Sequence, residues 1–431
     1  MLPFMASNAL QIVYSIVDMI IVGQFVGSAG ISAVSQGSAL VLFASMVGTG
    51  FAQSGQVVVA QLIGLNNRED LKKVIGTLFT IVGGIALVLT AVLLIPHNTY
   101  LHILNIPKES YSMTRDYVII CGAGTILTCG YNTVSSLLRG MGDSKHPFLF
   151  ILAASITNVV LDLLLTGALK MGVAGAALAT TASQGVSFGL SLRLLIKNKE
   201  SFYFDFKLKS FKPDPKYVKT LVKLGVPLAI QMSIISVTML IVNSFVNGLG
   251  VIASATFGIG LKIDDIINKI SIAIEHASAP MIGQNLGAGK IKRVKHTVYW
   301  TWGICACMFA IFTIAYLLVG KFMFSLFTTD ADVLALAPVF ISAILWSFPL
   351  LVIMRGSMAF LHGTGSSFTL MIFSFIDAGL RAVLSYLFGI VFDMGFYGFV
   401  LGYGLAPLGV ALPGALYFFF SKWQDKKLAI S

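Results

Sequence analysis

Apolar residues fill this chain in long stretches separated by short polar turns. Twelve such runs can be drawn: 3–26, 32–62, 74–96, 115–138, 147–169, 172–196, 217–246, 251–286, 297–319, 334–360, 367–391 and 396–420. A helix needs about 20 apolar residues to cross a bilayer core, and each run is long enough. Transmembrane strands would alternate in segments of about ten residues, whereas these runs are uniformly apolar. The pattern predicts an all-α polytopic membrane protein with twelve transmembrane helices. One long polar break, KNKESFYFDFKLKSFKPDPKY at 197–217, divides six spans from six.

The two halves echo each other. DMIIVGQFVGSAGISA at 18–33 parallels TMLIVNSFVNGLGVIASA at 238–255, AQLIGLNNREDLKKV at 60–74 parallels GQNLGAGKIKRV at 283–294, and LLRGMGDS at 137–144 parallels FLHGTGSS at 360–367. Three matched segments in one order indicate an internal duplication. Six spans per half give both halves the same orientation, so the repeat is a parallel one, with a pseudo-two-fold axis along the membrane normal. Such repeats place a substrate cavity between two lobes that rock. The expected organisation is an N-terminal six-helix lobe over 1–196, a basic cytoplasmic linker over 197–216 and a C-terminal six-helix lobe over 217–431.

Composition agrees with that reading and narrows it. Apolar residues make up 57% of the chain and charged residues 11%, with a mean hydropathy of +0.89. A soluble domain carries roughly 25% charged residues, so most of this surface is expected to face lipid. The net charge of +11 suggests nucleic acid, but its placement does not: 21 of the 29 Lys and Arg fall in turns on one side of the predicted membrane and four on the other. That asymmetry puts both termini and the basic loops in the cytoplasm. No cleavable signal peptide is expected, because the chain opens directly into Pro3 to Val26 without a basic leader. Cys121, Cys129, Cys305 and Cys307 lie inside apolar runs without metal-ligand spacing, which predicts core packing. None of the six histidines forms a metal-spaced pair.

The informative residues are the charges inside the spans, since an ionisable side chain at mid-bilayer is expensive and usually paired, water-facing or functional. Ten qualify: Asp18, Asp162, Lys262, Asp264, Asp265, Lys269, Glu275, Arg355, Asp377 and Arg381. Asp18 lies nine residues before the outer turn at Gly27, and Asp162 eight before Lys170. Asn158 is one turn from Asp162 on the same face. Thr180 lies eight residues into its span from Gly172. At 1.5 Å per residue these four share a layer about 12–18 Å from the outer boundary, and Tyr117 is slightly shallower. Two nearby carboxylates in a poorly hydrated site cannot both stay ionised cheaply, so the pair can load and release a proton. The oxygens of Asp18, Asn158, Asp162 and Thr180 could equally hold Na⁺. No Lys or Arg lies at this depth in spans 1–6. In the second half the position matching Asp18 is Thr238. Asp265–Lys269 and Asp377–Arg381 have the i, i+4 spacing of self-paired charges.

GQNLGAGK at 283–290, RGMGDSKHP at 139–147, SIVDMIIVGQFVG at 15–27 and KMGVAGAALATTASQ at 170–184 together resemble the multidrug and toxic compound extrusion (MATE) transporters, over nearly the whole chain. The resemblance implies a MATE/MOP-like fold. Within it, the DinF-like branch uses a first-span aspartate and an Asn-x-x-x-Asp pair for cation or proton coupling, which match Asp18, Asn158 and Asp162. Thr180 takes the place of a sixth-span hydroxyl and Tyr117 that of a fourth-span tyrosine. Pro3 takes the place of a first-span proline linked to helix bending. NorM-type relatives carry a seventh-span glutamate where this chain has Ile235.

The resulting expectation is a secondary antiporter in a prokaryotic cell membrane. It would export small organic compounds, cationic or amphiphilic, against inward H⁺ or Na⁺ by alternating access. It would act as a monomer in contact with membrane lipid, with no nucleic-acid partner and no cofactor beyond the coupling ion. Lys262, Asp264, Asp265, Glu275, Arg355, Asp377 and Arg381 are candidate cavity charges of the C-terminal lobe. Six intramembrane acids against four bases favour a cationic cargo. Sixteen Met and 32 Phe suit an adaptable apolar cavity. The alternative cargo is a lipid-linked oligosaccharide, whose phosphate would need several bases to grip it. An integral-membrane enzyme would need a convergent nucleophile or a metal set, neither of which the sequence displays. A Walker motif is also absent.

Overall fold

The computed structural model describes residues 2–104, 106–200, 202, 204–425 and 428–429; the side chains of 2–5, 8, 9, 12, 13, 15, 103, 235–237, 240 and 425 also fall outside the described set. The expectations for the Pro3 and Ile235 side chains, and for Lys426 and Lys427, therefore lie outside the described residues.

Helices occupy all twelve apolar runs. In the first half they are α1 (Leu2–Val26), α2 (Ser28–Gly64), α3 (Arg68–Leu94), a short α4 (His97–Ile103), α5 (Lys108–Ala123) with α6 (Thr125–Gly140), α7 (Lys145–Asp162) and α8 (Gly172–Lys197). In the second half they are α9 (Pro215–Asn247), α10 (Val251–Gly287), α11 (Ile291–Ser325), α12 (Ala331–Ile344) with α13 (Ser347–Gly363), α14 (Ser367–Tyr386), and α15 (Gly395–Leu405) with α16 (Leu408–Phe420). Among the described residues, six helical stretches are long and apolar enough to cross a membrane singly, and two bent pairs bring that to eight by length and composition. α10, with its five Asp, Glu and Lys residues, is not among them. Many large apolar side chains on these helices are exposed, including Leu87, Leu318 and Phe420, as lipid-facing residues must be.

The duplication is written into the backbone. Left-handed conformations occur in pairs 223 residues apart: Gly27 and Gly250, Asn66 and Gly289, Gly142 and Gly365, Lys170 and Asp393, Gly172 and Gly395. α2 and α10 are both 37 residues long. A π turn follows α7 at Leu163–Ala168, and another follows α14 at Leu387–Val391. The fourth span bends by 45° between α5 and α6, and its counterpart by 48° between α12 and α13. The second bend has a local cause. Pro349 has no N–H to donate to the carbonyl four residues back, at Leu345, which accepts instead from the Phe348 N–H at 3.2 Å. At the first, Gly124 sits against Thr181, a close approach that a Cβ would prevent.

The chain divides into two compact units, residues 2–229 and 230–429 with the last described residues, so the division falls inside α9. The basic linker belongs to the first unit. It packs on the start of α3, where Phe204 is buried and Phe204, Phe206 and Phe211 cluster edge to face with Phe79. Lys72 Nζ meets Asp205 Oδ2 at 3.1 Å, the Thr80 hydroxyl donates to the Phe211 carbonyl at 2.6 Å, and the Asp214 N–H donates to Thr77 Oγ1 at 3.0 Å. The Ser210 hydroxyl and the Lys72 ammonium hold the Asp205 carboxyl well below the usual carboxylate range. A depressed value makes this clasp available at neutral and mildly acidic pH, and it is lost only as pH falls through that low value.

Gly76 makes the docking fit, because a Cβ there would meet the Ser210 carbonyl oxygen. Gly76→Ala is therefore expected to lift the linker off α3. Overpacking of this kind costs about 1–3 kcal/mol, which corresponds to roughly a 5- to 150-fold larger open population. Limited proteolysis should show faster cutting within 204–214 by a factor in that range. An unchanged rate would mean that the linker does not depend on this contact.

Candidate functional site

The first unit brings Asp18 of α1 and Asp162 of α7 together. Their carboxyl groups face each other at hydrogen-bonding range. Asp162 is fully buried and Asn158, one turn earlier, is 1% exposed. Both oxygens of Asp162, Oδ1 of Asp18 and both amide atoms of Asn158 are buried with no other protein hydrogen-bond partner among the described residues. Buried polar groups are normally satisfied, so five such atoms in one place mark a site built for something other than stability. Two ionised carboxylates cannot bond each other, but one shared proton makes one the donor and the other the acceptor.

The remaining expected residues divide. Tyr117 of α5 is buried beside the pair, close enough to Asp18 to feel its charge, and contacts Cys121. It packs with Val22, Val34, Val173 and Ala177, which fixes the α1–α2–α5–α8 surroundings of the pair. Thr180 is half-buried, and among the described residues no hydrogen bond joins its hydroxyl to either carboxylate. Its carbonyl accepts from the Ser183 hydroxyl at 2.7 Å. The neighbouring Thr181 approaches Cys121 Sγ at 3.9 Å. Tyr14, one helical turn before Asp18 and within its field, was missed by the sequence reading, although the i, i+4 spacing was there to find it. The π turn that starts after Asp162 is shared with the second unit, so it belongs to the duplicated frame rather than to the acid pair.

The second unit holds a polar chain along one face of α10, at positions 264, 268, 271 and 275, about one turn apart. Asn268 Nδ2 donates to Asp264 Oδ2 at 2.7 Å. Arg355 of α13 donates to Asn268 Oδ1 at 3.0 Å, to Ser271 Oγ at 3.0 Å and to Glu275 Oε2 at 3.1 Å. Glu275 Oε1 lies 3.2 Å from His362 Nδ1. Arg381 pairs with Asp377 at 3.0 Å and lies 4.8 Å above the Tyr403 ring. Asp265 and Lys269 pair at 2.9 Å on the exposed side of α10, and Lys262 is exposed as well. Three of the four intramembrane bases thus hold an acid. Among the described intramembrane acids, Asp18, Asp162 and Asp264 are left without an ion pair. His362 was missed because its partner Glu275 lies on a helix more than eighty residues away; Asn268 has one such partner in Arg355, but its i, i+4 spacing from Asp264 was there to find it. Cysteine packing needs one correction: Cys121, Cys129 and Cys305 are buried, but Cys307 is exposed, because it sits two residues from Cys305, on another face of α11.

Two helical units related by duplication, with acids buried where no base neutralises them, define a polytopic membrane transporter of the internally repeated class. The chain belongs to the MatE family: the family model matches residues 3–164 and again 227–387, once per unit. It is 27% identical to a "Probable multidrug resistance protein YpnP" of Bacillus subtilis, over 99% of this chain and 95% of that one. It is 28% identical to the "Multidrug export protein MepA" of Staphylococcus aureus, over 78% and 74%. Among solved structures it resembles an outward-facing multidrug resistance MATE family transporter of the MOP superfamily (TM-score 0.89, 20% identity, 99% and 95% coverage). It also resembles a MOP superfamily transporter from Pyrococcus furiosus (TM-score 0.90, 20% identity, 99% and 95% coverage). At that identity the two structures speak for the fold alone. The chain is an integral membrane protein of the transporter class, not an enzyme.

Proposed function

We propose that this protein exports small organic compounds, cationic or amphiphilic, across the bacterial plasma membrane in exchange for inward protons, by alternating access, with Asp18 and Asp162 as the coupling pair. The observation that carries the reading is the facing carboxyl pair with no base beside it among the described residues. A proton satisfies both groups at once. A sodium shell would add the Thr180 hydroxyl, which makes no hydrogen bond to either carboxylate among the described residues. The three intramembrane acids without an ion pair favour a cationic cargo. A phosphate-bearing lipid is disfavoured because Arg355, Arg381 and Lys269 are already engaged by acids. The names of the multidrug relatives support small organic compounds as cargo. The distribution of Lys and Arg, 21 against four, supports cytoplasmic termini.

The test is transport of a fluorescent organic cation in proteoliposomes under separately imposed gradients. Transport is expected when protons run counter to the dye, and not under a Na⁺ gradient alone. Transport driven by Na⁺ alone would replace the coupling ion, and transport indifferent to both gradients would overturn the antiport.

A further inference from the structure

We propose that Glu275, His276 and His362 form a site for a divalent transition-metal ion of the zinc class inside the second unit. One ligand atom from each of the three lies within 4.8 Å of the other two. Glu275 is 2% exposed and His362 6%. The two imidazole rings are parallel to within 1°, their centroids 6.3 Å apart, so one ring must turn before both can present a nitrogen to one ion. His362 Nε2, on the ring edge away from Glu275, is buried with no hydrogen-bond partner among the described residues, so only Nδ1 is engaged by the acid.

The chemistry of the set selects the ion. Two imidazoles and one carboxylate, with a fourth position open, are a familiar zinc ligand set, with bonds of about 2.0–2.2 Å. Tetrahedral bonds of that length put neighbouring ligand atoms about 3.3–3.5 Å apart. The 3.2 Å between Glu275 Oε1 and His362 Nδ1 is already close to that edge, which makes Nδ1 the ligand nitrogen of His362, and the His276 imidazole, within 4.8 Å of both, would have to move in by about 1–1.5 Å. Mg²⁺ and Ca²⁺ prefer oxygen ligands, so a site with two nitrogens discriminates against them. Arg355 holds only the other carboxylate oxygen, Oε2. It orients Glu275 in the way that partners of metal ligands commonly do.

The duplication shows what the ion would do. Applied to the first unit, the 223-residue offset puts Arg139 at the place of His362. Arg139 reaches from α6 to Gln56 of α2 at 3.1 Å, and to Ser135 and Ser136 on its own helix. A permanent cation therefore ties α6 to α2 in one unit. In the other unit the matching position is an imidazole, and Ala52 and Gln53 stand where Glu275 and His276 stand. A bound metal ion would add a second tie between α13 and α10, at the end of the Arg355 contacts.

The experiment uses the purified full-length chain in detergent, after removal of any histidine tag. Zn²⁺ binding is measured by equilibrium dialysis and metal analysis, and Co²⁺ serves as the spectroscopic probe of a tetrahedral nitrogen and oxygen set. One ion per chain is expected, with at least tenfold weaker binding in both His276→Ala and His362→Ala and no change in His102→Ala. Should one variant fail to elute as a folded monodisperse species, Glu275→Gln and the Tm shift decide: Zn²⁺ should raise the Tm of the wild type and not that of Glu275→Gln. A wild-type chain that binds no Zn²⁺, or variants that bind it as tightly, would overturn the site. The proposal is independent of export, because Asp18→Asn should leave zinc binding unchanged.

Discussion

Replacing Asp18 by Asn is expected to reduce proton-driven export to the leak rate of empty vesicles, a loss of roughly tenfold or more, while the protein still inserts and stays folded. A gradient moves a transporter only through a difference in ion affinity between its conformations. An amide takes up no proton in either conformation, so the gradient has nothing to act on. Asp162→Asn should behave in the same way, because the two carboxyls face each other and a shared proton needs both. Stability should move in the other direction. Asn is nearly isosteric with Asp, and its amide N–H can donate to the remaining carboxylate in place of the shared proton, so the Tm of either variant should equal or exceed that of the wild type. That combination separates a coupling site from a structural one, since loss of a structural pair lowers transport and Tm together. Retained gradient-driven export in both variants would mean that the coupling group lies elsewhere, with Asp264 the next acid to test. Asp18→Glu should recover part of the activity, because it restores the titratable group at the cost of a displaced contact.

The twelve runs and the duplication were legible because both depend on properties carried residue by residue. An apolar stretch of span length leaves the backbone only one way to satisfy its hydrogen bonds in lipid. The paired left-handed positions, such as Gly27 with Gly250 and Gly172 with Gly395, are recorded in the sequence as turn glycines at matching places. Asp18 and Asp162 were legible as a layer because depth follows from helical rise. Rotation about each helix axis was not. Lipid-facing and packed surfaces are both apolar in a membrane protein, so Thr180 and Thr181 look interchangeable in the sequence, yet only Thr181 turns toward Cys121. The α10 chain was hidden for the same reason. Glu275 finds Arg355 and His362 only once α13 packs against it, and nothing in either segment announces the other. The linker reads as a polar break because its charges outnumber its aromatics, but four phenylalanines decide that it docks.

Arg355→Met should give the largest stability loss of any single substitution in the second unit. The guanidinium satisfies three partners on α10 at once, Asn268, Ser271 and Glu275, and its side chain and that of Glu275 are 8% and 2% exposed. Removing one member of a buried pair leaves the other charge uncompensated, at a cost of about 3–5 kcal/mol. The orphaned Asn268 and Ser271 oxygens add to it. Chemical denaturation in micelles, with a chelator present so that no metal ion stands in for the lost charge, should show that loss directly. Glu275→Gln alone should cost less, because the guanidinium keeps two of its partners. The double variant should be more stable than the sum of the two losses predicts, since residues in direct contact couple by about 0.5–3 kcal/mol. Strict additivity would mean that the pair holds nothing in common, and that the 3.1 Å contact reflects proximity without coupling. Because Asp18 and Asp162 lie in the other unit, Arg355→Met should also leave intact any proton binding measured there, so long as the first unit folds without help from the second.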